Sequence, residues 1–388
     1  MREIRSHHPA CDAGTPPQAG GESSHDPRPT IHAFAARGGR RLAAAFLALL
    51  VSGCANVSYY FQSVSGQMDI WRRERPIEEV IADPASPHAL KDQLARVLEI
   101  RAFASRELGL PDNASFRRYA DLQRPFAVWN VFAAPEFSLQ PHQWCFLFAG
   151  CVSYRGYFAK EDAERFAAGL AAQGYDVYIG GVPAYSTLGY FADPVLNTFI
   201  HYPEAEIARL VFHELAHQVA YARDDTVFNE SFAVAMEQEG VRRWLARDGD
   251  ATQRERFERG RRIRAEFAGL IQKHRERLAA LYRTRLAPDA MRDRKHEILA
   301  ELESEYQSLK AGWGGYAGYD PWFASRPNNA QLASVVAYSQ WVTAFETLLA
   351  REGGSLARFY AAVKELAALP KEERDSRLRA LAPRSGSI

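Results

Sequence analysis

The sequence predicts an α+β fold in which a small mixed sheet packs on a predominantly helical part. The chain has 388 residues, of which 47% are hydrophobic and 12% aromatic, so it can bury a large core and is not a disordered protein. Between residues 125 and 189, short β-rich runs are separated by proline and glycine. From Pro203 onward, apolar residues recur at helical spacing almost to the C-terminus.

These patterns place the individual elements along the chain. The first half is predicted to contain strands over 126–131, 152–158 and 176–180 and helices over 87–108 and 160–173. The second half is predicted to contain a helix from Pro203, a second one from Asn229, a helical hairpin over 252–286 and 291–310, and final helices over 331–350 and 356–369. The sheet and its crossing helix therefore precede an all-helical half.

The N-terminal segment resembles a bacterial export signal. Residues 1–36 are rich in proline, glycine, histidine and serine, and we expect either a disordered leader or a misassigned start there. Two arginines, an apolar run over 42–51 and the tetrad Val-Ser-Gly-Cys ending at Cys54 follow in the order of a lipoprotein signal peptide. The apolar run is too short to span a bilayer, and its alternative interpretation is a short buried helix. We therefore expect a lipid on Cys54 that anchors the chain to a membrane.

The expected location follows from the residue at position 56. Asn56, two residues beyond Cys54, resembles the outer-membrane sorting pattern of Gram-negative lipoproteins, so we expect an envelope protein facing the periplasm. That compartment is oxidising, and Cys145 and Cys151 are predicted to form a disulfide with a turn at Gly150. The alternative is that both cysteines are small buried apolar side chains.

The charge of the chain bears on its partners. The formal net charge is +1, which gives no electrostatic reason to expect a nucleic-acid partner. The expected partner at this point is a membrane, which the chain would contact through the N-terminal lipid. The sequence carries no indication of the oligomeric state.

The strongest chemical signal is the run His213-Glu214-Leu215-Ala216-His217 inside the helix that begins at Pro203. Residues four apart share one face of a helix, so both imidazoles can bind one zinc ion at about 2.1 Å. Glu214 between them is placed to take a proton from the water that the metal activates. The alternative is a pair of core histidines, but a glutamate on a buried face needs a partner, which a metal site supplies.

The third ligand is expected from the next helix. Glu230 stands in the setting Asn-Glu-Ser-Phe-Ala, which is similar to the Asn-Glu-x-x-Ala pattern of thermolysin-like enzymes, or gluzincins. Glu237 is the alternative third ligand, because its separation from His217 along the sequence resembles the spacing in thermolysin. We favour Glu230 as the ligand and Glu237 as a residue that supports the ligands.

The chain resembles a family of bacterial aminopeptidases, generally lipoproteins, built on the gluzincin pattern. The resemblance extends over nearly the whole chain after Cys54 and rests on Trp144-Cys145 with Gly150-Cys151, 154–158, 184–189, Asp193-Pro194, 213–218, Asn229-Glu230-Ser231 and Asn328-Asn329-Ala330. It implies a zincin-like catalytic domain, one Zn²⁺ per chain and a peptide substrate. It also implies a substrate-binding edge strand near residues 180–189, although an ordinary strand remains an alternative there.

Two departures from the gluzincin pattern shape the expected site. The Gly-x-Met-Glu-Asn segment that binds the free amino group in the best-known gluzincin aminopeptidases is absent. Val234 stands where thermolysin-like enzymes often have an aspartate that orients a ligand histidine, so this role is expected from Glu237 or Asp225. For the oxyanion we expect Tyr338, with Tyr185 or simple core packing as alternatives.

The sequence divides into three parts and indicates one leading function. The parts are a leader and signal peptide (1–53), an α+β part with the two cysteines and the edge strand (54–200), and a helical catalytic part (201–388). The function is zinc-dependent hydrolysis of peptide bonds, by resemblance as an aminopeptidase. The alternatives are an envelope endopeptidase and a zinc-retaining lipoprotein for binding or assembly without turnover. Intact Glu214 argues against the last, since such a protein needs no general base.

Overall fold

A computed structural model describes residues 59–382 except 147–149, 185, 186 and 188. The predictions for Cys54, for the leader and for Tyr185 lie outside these residues. The described chain is mixed, with many helices and small sheets of two or three strands, so the predicted combination of a small mixed sheet with a predominantly helical part is confirmed. Within it, no helix has the length and apolar character that crossing a membrane requires.

The helices account for most of the described residues. They are α1 (59–73), α2 (Ile77–Ala82), α3 (His88–Arg106), α4 (Lys160–Ala171), α5 (Glu204–Ala216), α6 (Thr226–Asp248), α7 (Ala251–Tyr282), α8 (Pro288–Gly312), α9 (Asp320–Ala324), α10 (Asn329–Ala337), α11 (Val342–Arg351), α12 (Leu356–Ala368) and α13 (Lys371–Leu381).

The strands form three small sheets. They are β1 (Arg75–Pro76), β2 (Arg118–Ala120), β3 (Val128–Pro135), β4 (Trp144–Phe146), β5 (Gly150–Val152), β6 (Arg155–Tyr157), β7 (Tyr175–Val182) and β8 (Val195–Leu196). The sheet orders are β1-β2-β8, β6-β3-β7 and β4-β5, and the β2–β8 pair is parallel while the others are antiparallel.

The central sheet is built around β3, which is buried on both faces. Trp129, Val131 and Ala133 pack against α4, and Phe132 and Ala134 pack on the opposite face, where α10 lies. This is why its sequence is apolar at almost every position, with Asn130 as the polar exception, rather than alternating. The predicted small sheet with a crossing helix is confirmed, and β7 lies at one edge of it.

Helices α5 and α6 lie together in the largest cluster of buried side chains. On α5, the apolar residues Ile207, Val211 and Leu215 recur at helical spacing and are at most 4% exposed. Gly240 on α6 allows a close approach, because a Cβ atom there would lie 2.6 Å from the ring of Phe212 on α5. The faces of α5 and α6 are therefore held at a short, fixed separation.

The helical half differs from prediction at several boundaries. The hairpin of α7 and α8 is confirmed, with Pro288 at the start of α8. The second helix begins at Thr226 rather than Asn229, because the Asp225 side chain accepts a hydrogen bond from the Phe228 backbone and caps it earlier.

Two predicted elements are each divided in two. The single helix expected over 331–350 is α10 followed by α11, and the backbone N–H of Trp341 between them donates to Ser231 Oγ at 3.1 Å. The single strand expected over 152–158 is divided into β5 and β6, which pair with different strands.

Candidate metal centre

The two predicted histidines and one predicted glutamate meet between α5 and α6. His213 lies in the last turn of α5 and His217 is its C-cap residue with helical backbone angles, so both rings lie on one face. Glu230 lies in the second turn of α6. Its Oε2 atom is 3.3 Å from His213 Nε2 and 3.6 Å from His217 Nε2. All three side chains are buried.

This arrangement can be tested for its fit to a metal ion. Ligand atoms about 2.1 Å from a common tetrahedral centre lie about 3.4 Å from one another. The two distances to Glu230 agree with that spacing, and one ligand atom from each residue lies within 4.8 Å of the others. Two imidazole nitrogens and a carboxylate oxygen are also donors that zinc prefers. The group could therefore hold a metal ion.

The structure places Glu237, the competing ligand, behind His213. Its Oε2 atom is 2.9 Å from His213 Nδ1, on the side of the ring that faces away from Glu230. Arg209 Nη1 donates to both oxygens of Glu237 at 3.0 and 3.1 Å, which fixes the carboxylate. This is the arrangement of a carboxylate that orients a ligand histidine.

Asp225, the other candidate for this orienting role, does not contact either histidine. Its side chain accepts hydrogen bonds from Phe228 N, from Lys371 Nζ at 3.1 Å and from Arg374 Nη2 at 2.8 Å. It caps α6 and joins that helix to α13. Of the two residues expected to orient a histidine, the structure therefore brings only Glu237 to the site.

The carboxylates give the site a strong attraction for positive charge. Burial alone would lower the pKa of His213, but hydrogen bonds to Glu230 and Glu237 raise that pKa to about 10. Burial would likewise raise the pKa of Glu230, but the charge of His217 and the hydrogen bonds to both histidines lower it to about 2. A site that holds a proton this strongly also favours a bound cation in its place.

Glu214 lies beside the three candidate ligands without being one of them. It is 7% exposed and lines the same cavity, whose volume is about 550 Å³. Burial raises its pKa, against the opposing effect of His213 and His217. A raised pKa suits a carboxylate that must accept a proton and later return it.

Two tyrosines complete the walls around the histidines. The Tyr338 ring stacks toward that of His213 with 6.4 Å between centroids, and burial raises the pKa of its hydroxyl. Tyr154 follows β5 and lines the same cavity, and burial together with the charge of Glu230 raises its pKa. The sequence placed Tyr154 in the run 154–158 that carries the family resemblance but gave it no role in the site, because it lies far from the His-Glu-x-x-His run along the chain. Arg209 was missed for a different reason, since nothing in the sequence shows which carboxylate it meets.

The predicted substrate edge lies next to these residues. Val182 at the end of β7 and Ala184 beyond it line the 550 Å³ cavity and also a second cavity of about 640 Å³. His213, Glu214 and Tyr338 line both cavities as well. The candidate metal centre therefore lies where two cavities meet, beside the edge of a sheet.

Cys145 and Cys151 come together across the β4–β5 hairpin. They are directly opposite in the strand register, and their sulfur atoms are 1.97 Å apart, which is bonding distance. The neighbouring residues Phe146 and Val152 of these strands line the cavity. The cysteine pair therefore closes a hairpin at the wall of the site.

Comparison with known proteins gives one family. No curated protein and no solved structure matches the chain. The model of the family described as "Putative aminopeptidase" matches residues 58–378, which include every candidate site residue that the structure describes. Because this match covers most of the sequence, the chain belongs to that aminopeptidase family.

Proposed function

We propose that the protein is a zinc metallopeptidase with a zincin-like catalytic fold that hydrolyses peptide bonds as an aminopeptidase. The observation that carries the proposal is the convergence of His213, His217 and Glu230 around one point, with Glu214 facing the same cavity. The family description supplies the peptide substrate and the hydrolase class. One Zn²⁺ per chain follows from the single group of ligands found among the described residues.

Each side chain has a separate role in this proposal. A bound zinc ion would polarise the scissile carbonyl and lower the pKa of a water molecule. Glu214 accepts the proton from the attacking water and passes it to the leaving nitrogen, which its raised pKa favours. Glu237, held by Arg209, keeps the ring of His213 in place.

Tyr338 and the edge of β7 act on the substrate. The Tyr338 hydroxyl, whose pKa burial raises further above neutral, is protonated at neutral pH and can donate a hydrogen bond to the carbonyl oxygen as that atom gains charge. The free edge of β7 beside Val182 offers backbone groups to an extended peptide. Tyr338 and Val182 both line the 550 Å³ cavity.

The structure also supports a second candidate, an endopeptidase. Two cavities share His213, Glu214 and Tyr338 as lining residues, and a peptide bound by its middle would need space on each side of the scissile bond. Glu214 and Glu230 are the only carboxylates among the described residues that line the 550 Å³ cavity, so no additional one is present there for a free amino group. Amino-acyl fluorogenic substrates compared with N-acetylated peptides separate the two activities.

The cellular location is proposed from the N-terminal sequence. The lipobox ending at Cys54 supports a lipid on that cysteine and a tether to the outer membrane on its periplasmic side. Peptides or proteins of the envelope would then be the substrates within reach.

The metal assignment is tested by elemental analysis. Wild-type protein should contain about one zinc per chain, lose activity with a chelator and regain it with added zinc. His217→Ala should lose the metal, because two ligands remain where three are needed. Stoichiometric zinc in folded His217→Ala protein would contradict the assignment.

A further inference from the structure

We propose that the 550 Å³ cavity beside the metal centre is a subsite that selects substrates by a bulky apolar side chain. This inference rests on the proposed peptidase function and adds to it the class of residue next to the scissile bond. The volume lies within the range of pockets that hold small ligands. Its walls are mainly aromatic and aliphatic, and include Tyr59, Tyr60, Val64, Trp71, Phe158 and Phe191.

The cavity offers no partner to a charged side chain outside the metal centre. Among its described lining residues, the only acidic, basic or histidine side chains are His213, Glu214, His217 and Glu230. A lysine or glutamate side chain that entered the apolar part would lose its hydration without gaining an ion pair. A leucine or phenylalanine side chain would instead bury its apolar surface against the apolar wall, which favours binding.

The apolar surface extends to the mouth of the cavity. Trp71 on α1 and Phe191 are 42% and 49% exposed, and their rings meet edge to face with 4.9 Å between centroids. Val64 on the same helix is 59% exposed and also lines the cavity. Large apolar side chains left in solvent around a cavity are typical of a binding surface rather than of a core.

The wall formed by α1 is fixed to the sheet. The Gln62 side chain accepts a hydrogen bond from Phe158 N at 3.2 Å and donates one to Gly156 O at 3.3 Å. A Cβ atom at Gly66 would lie 2.1 Å from the Phe158 ring, so the helix packs directly on that ring. The subsite therefore has a defined shape, which discrimination between side chains requires.

Substrate kinetics test this subsite. Peptides that differ only in one residue beside the scissile bond should be cleaved with kcat/KM at least about tenfold higher for phenylalanine or leucine than for alanine, and lower still for lysine or glutamate. Val64→Glu should reduce the phenylalanine-to-alanine ratio about tenfold, because it places a charge in the apolar wall. The ratio does not depend on the fraction of protein that is folded.

Phe61→Glu is the matched control. Phe61 lies on the same helix and is 75% exposed, but it does not line the cavity. The same change from an apolar to an acidic residue should leave the ratio unchanged. Equal effects of the two variants, or a wild-type preference for lysine, glutamate or alanine, would overturn the proposal.

A binding measurement separates this inference from the peptidase function. Calorimetry with zinc-loaded Glu214→Gln protein should show a phenylalanine-containing peptide binding at least about tenfold more tightly than its lysine counterpart. If the wild type cleaves no peptide, the proposed function fails while this comparison still decides the subsite. Equal affinities, or tighter binding of the lysine peptide, would contradict the subsite whatever the turnover.

Discussion

His213 is held from both sides, with Glu230 at its Nε2 atom and Glu237 at its Nδ1 atom. The sequence could predict that the two candidate ligands lie together, because helical spacing fixes how His213 and His217 share a face. It could not decide between the two glutamates by distance along the chain alone. Their separation by seven residues places both on the same side of α6, and only the tertiary packing shows which faces the ligand atoms.

Removing the charge of Glu237 should weaken metal binding. Glu237→Gln keeps the shape of the side chain but loses the charge that orients His213 and pairs with Arg209. Zinc affinity should fall about 10- to 100-fold, as is usual for such residues. Competition with a chromophoric chelator measures it.

Asp225→Asn is the control for this change. It removes an acidic charge from the N-cap of the same helix, α6, and the weakened pairing with Arg374 should cost stability. The zinc affinity of the folded variant should match that of the wild type. Equal losses of zinc affinity in both variants would contradict the role of Glu237.

Metal binding should release protons. The pKa of His213 is raised from 6.5 to about 10 in the metal-free site, so the ring is protonated at neutral pH, and a metal must displace the proton on Nε2. Between about pH 7 and 10 the affinity should therefore rise with pH, and it should fall about tenfold for each unit of acidification. Calorimetric zinc titrations in buffers of different ionisation enthalpy measure the protons released. Binding without proton release at pH 7 would contradict this account.

At the scale of elements, a break between two helices positions Tyr338 at the cavity. Tyr338 lies where α10 ends, before α11 begins at Val342. The sequence over 331–350 has no proline or glycine, so its periodicity predicts one continuous helix. The break is instead associated with a contact across the fold, from Trp341 N to Ser231 Oγ, which no local pattern shows. The confirmed hairpin of α7 and α8 is the opposite case, because Pro288 marks it in the sequence.

The close approach of α5 and α6 should be sensitive to one added side chain. Gly240→Val introduces a Cβ atom 2.6 Å from the ring of Phe212, which is buried and cannot move away freely. Overpacking of this kind costs about 1–3 kcal/mol, more than the gain from replacing a helical glycine. Urea denaturation should show this loss of stability, together with weaker zinc binding.

Gly269→Val is the matched control on α7. Nothing lies within 4 Å of a Cβ atom built at Gly269, so the same substitution should not destabilise the protein. The difference between the two variants isolates the contact between α5 and α6. Equal stability of both variants would show that the separation of these helices is not constrained by Gly240.

At the scale of the whole molecule, composition and periodicity were sufficient to predict an α+β chain with a helical second half. They did not predict that α1 would form a wall of the cavity, since its contacts with Gly156 and Phe158 join residues more than ninety positions apart. Such long-range pairings follow from the packing of the complete chain. The proposed N-terminal anchor differs from these contacts, because the pattern that predicts it lies in local sequence alone.

Replacement of Cys54 should release the protein from the membrane. The proposed anchor rests on the Val-Ser-Gly-Cys tetrad that ends at Cys54, in the order of a lipoprotein signal peptide. Cys54→Ser should therefore shift the protein from the membrane to the soluble fraction, as fractionation and immunoblotting would show. Ser52→Thr, which keeps Cys54, is the control and should remain with the membrane. Unchanged membrane association of the Cys54→Ser protein would contradict the lipid anchor.

Glu214→Gln tests the central claim most directly, because Glu214 lies beside the candidate ligands and is not one of them. The measurement is the zinc content and the peptide-hydrolysis rate of the same protein sample, next to wild type. The variant should keep about one zinc per chain and lose about 100- to 10,000-fold in rate, since an amide cannot accept the proton from water. Zinc-loaded Glu214→Gln that cleaves peptides as fast as wild type would contradict the proposed mechanism.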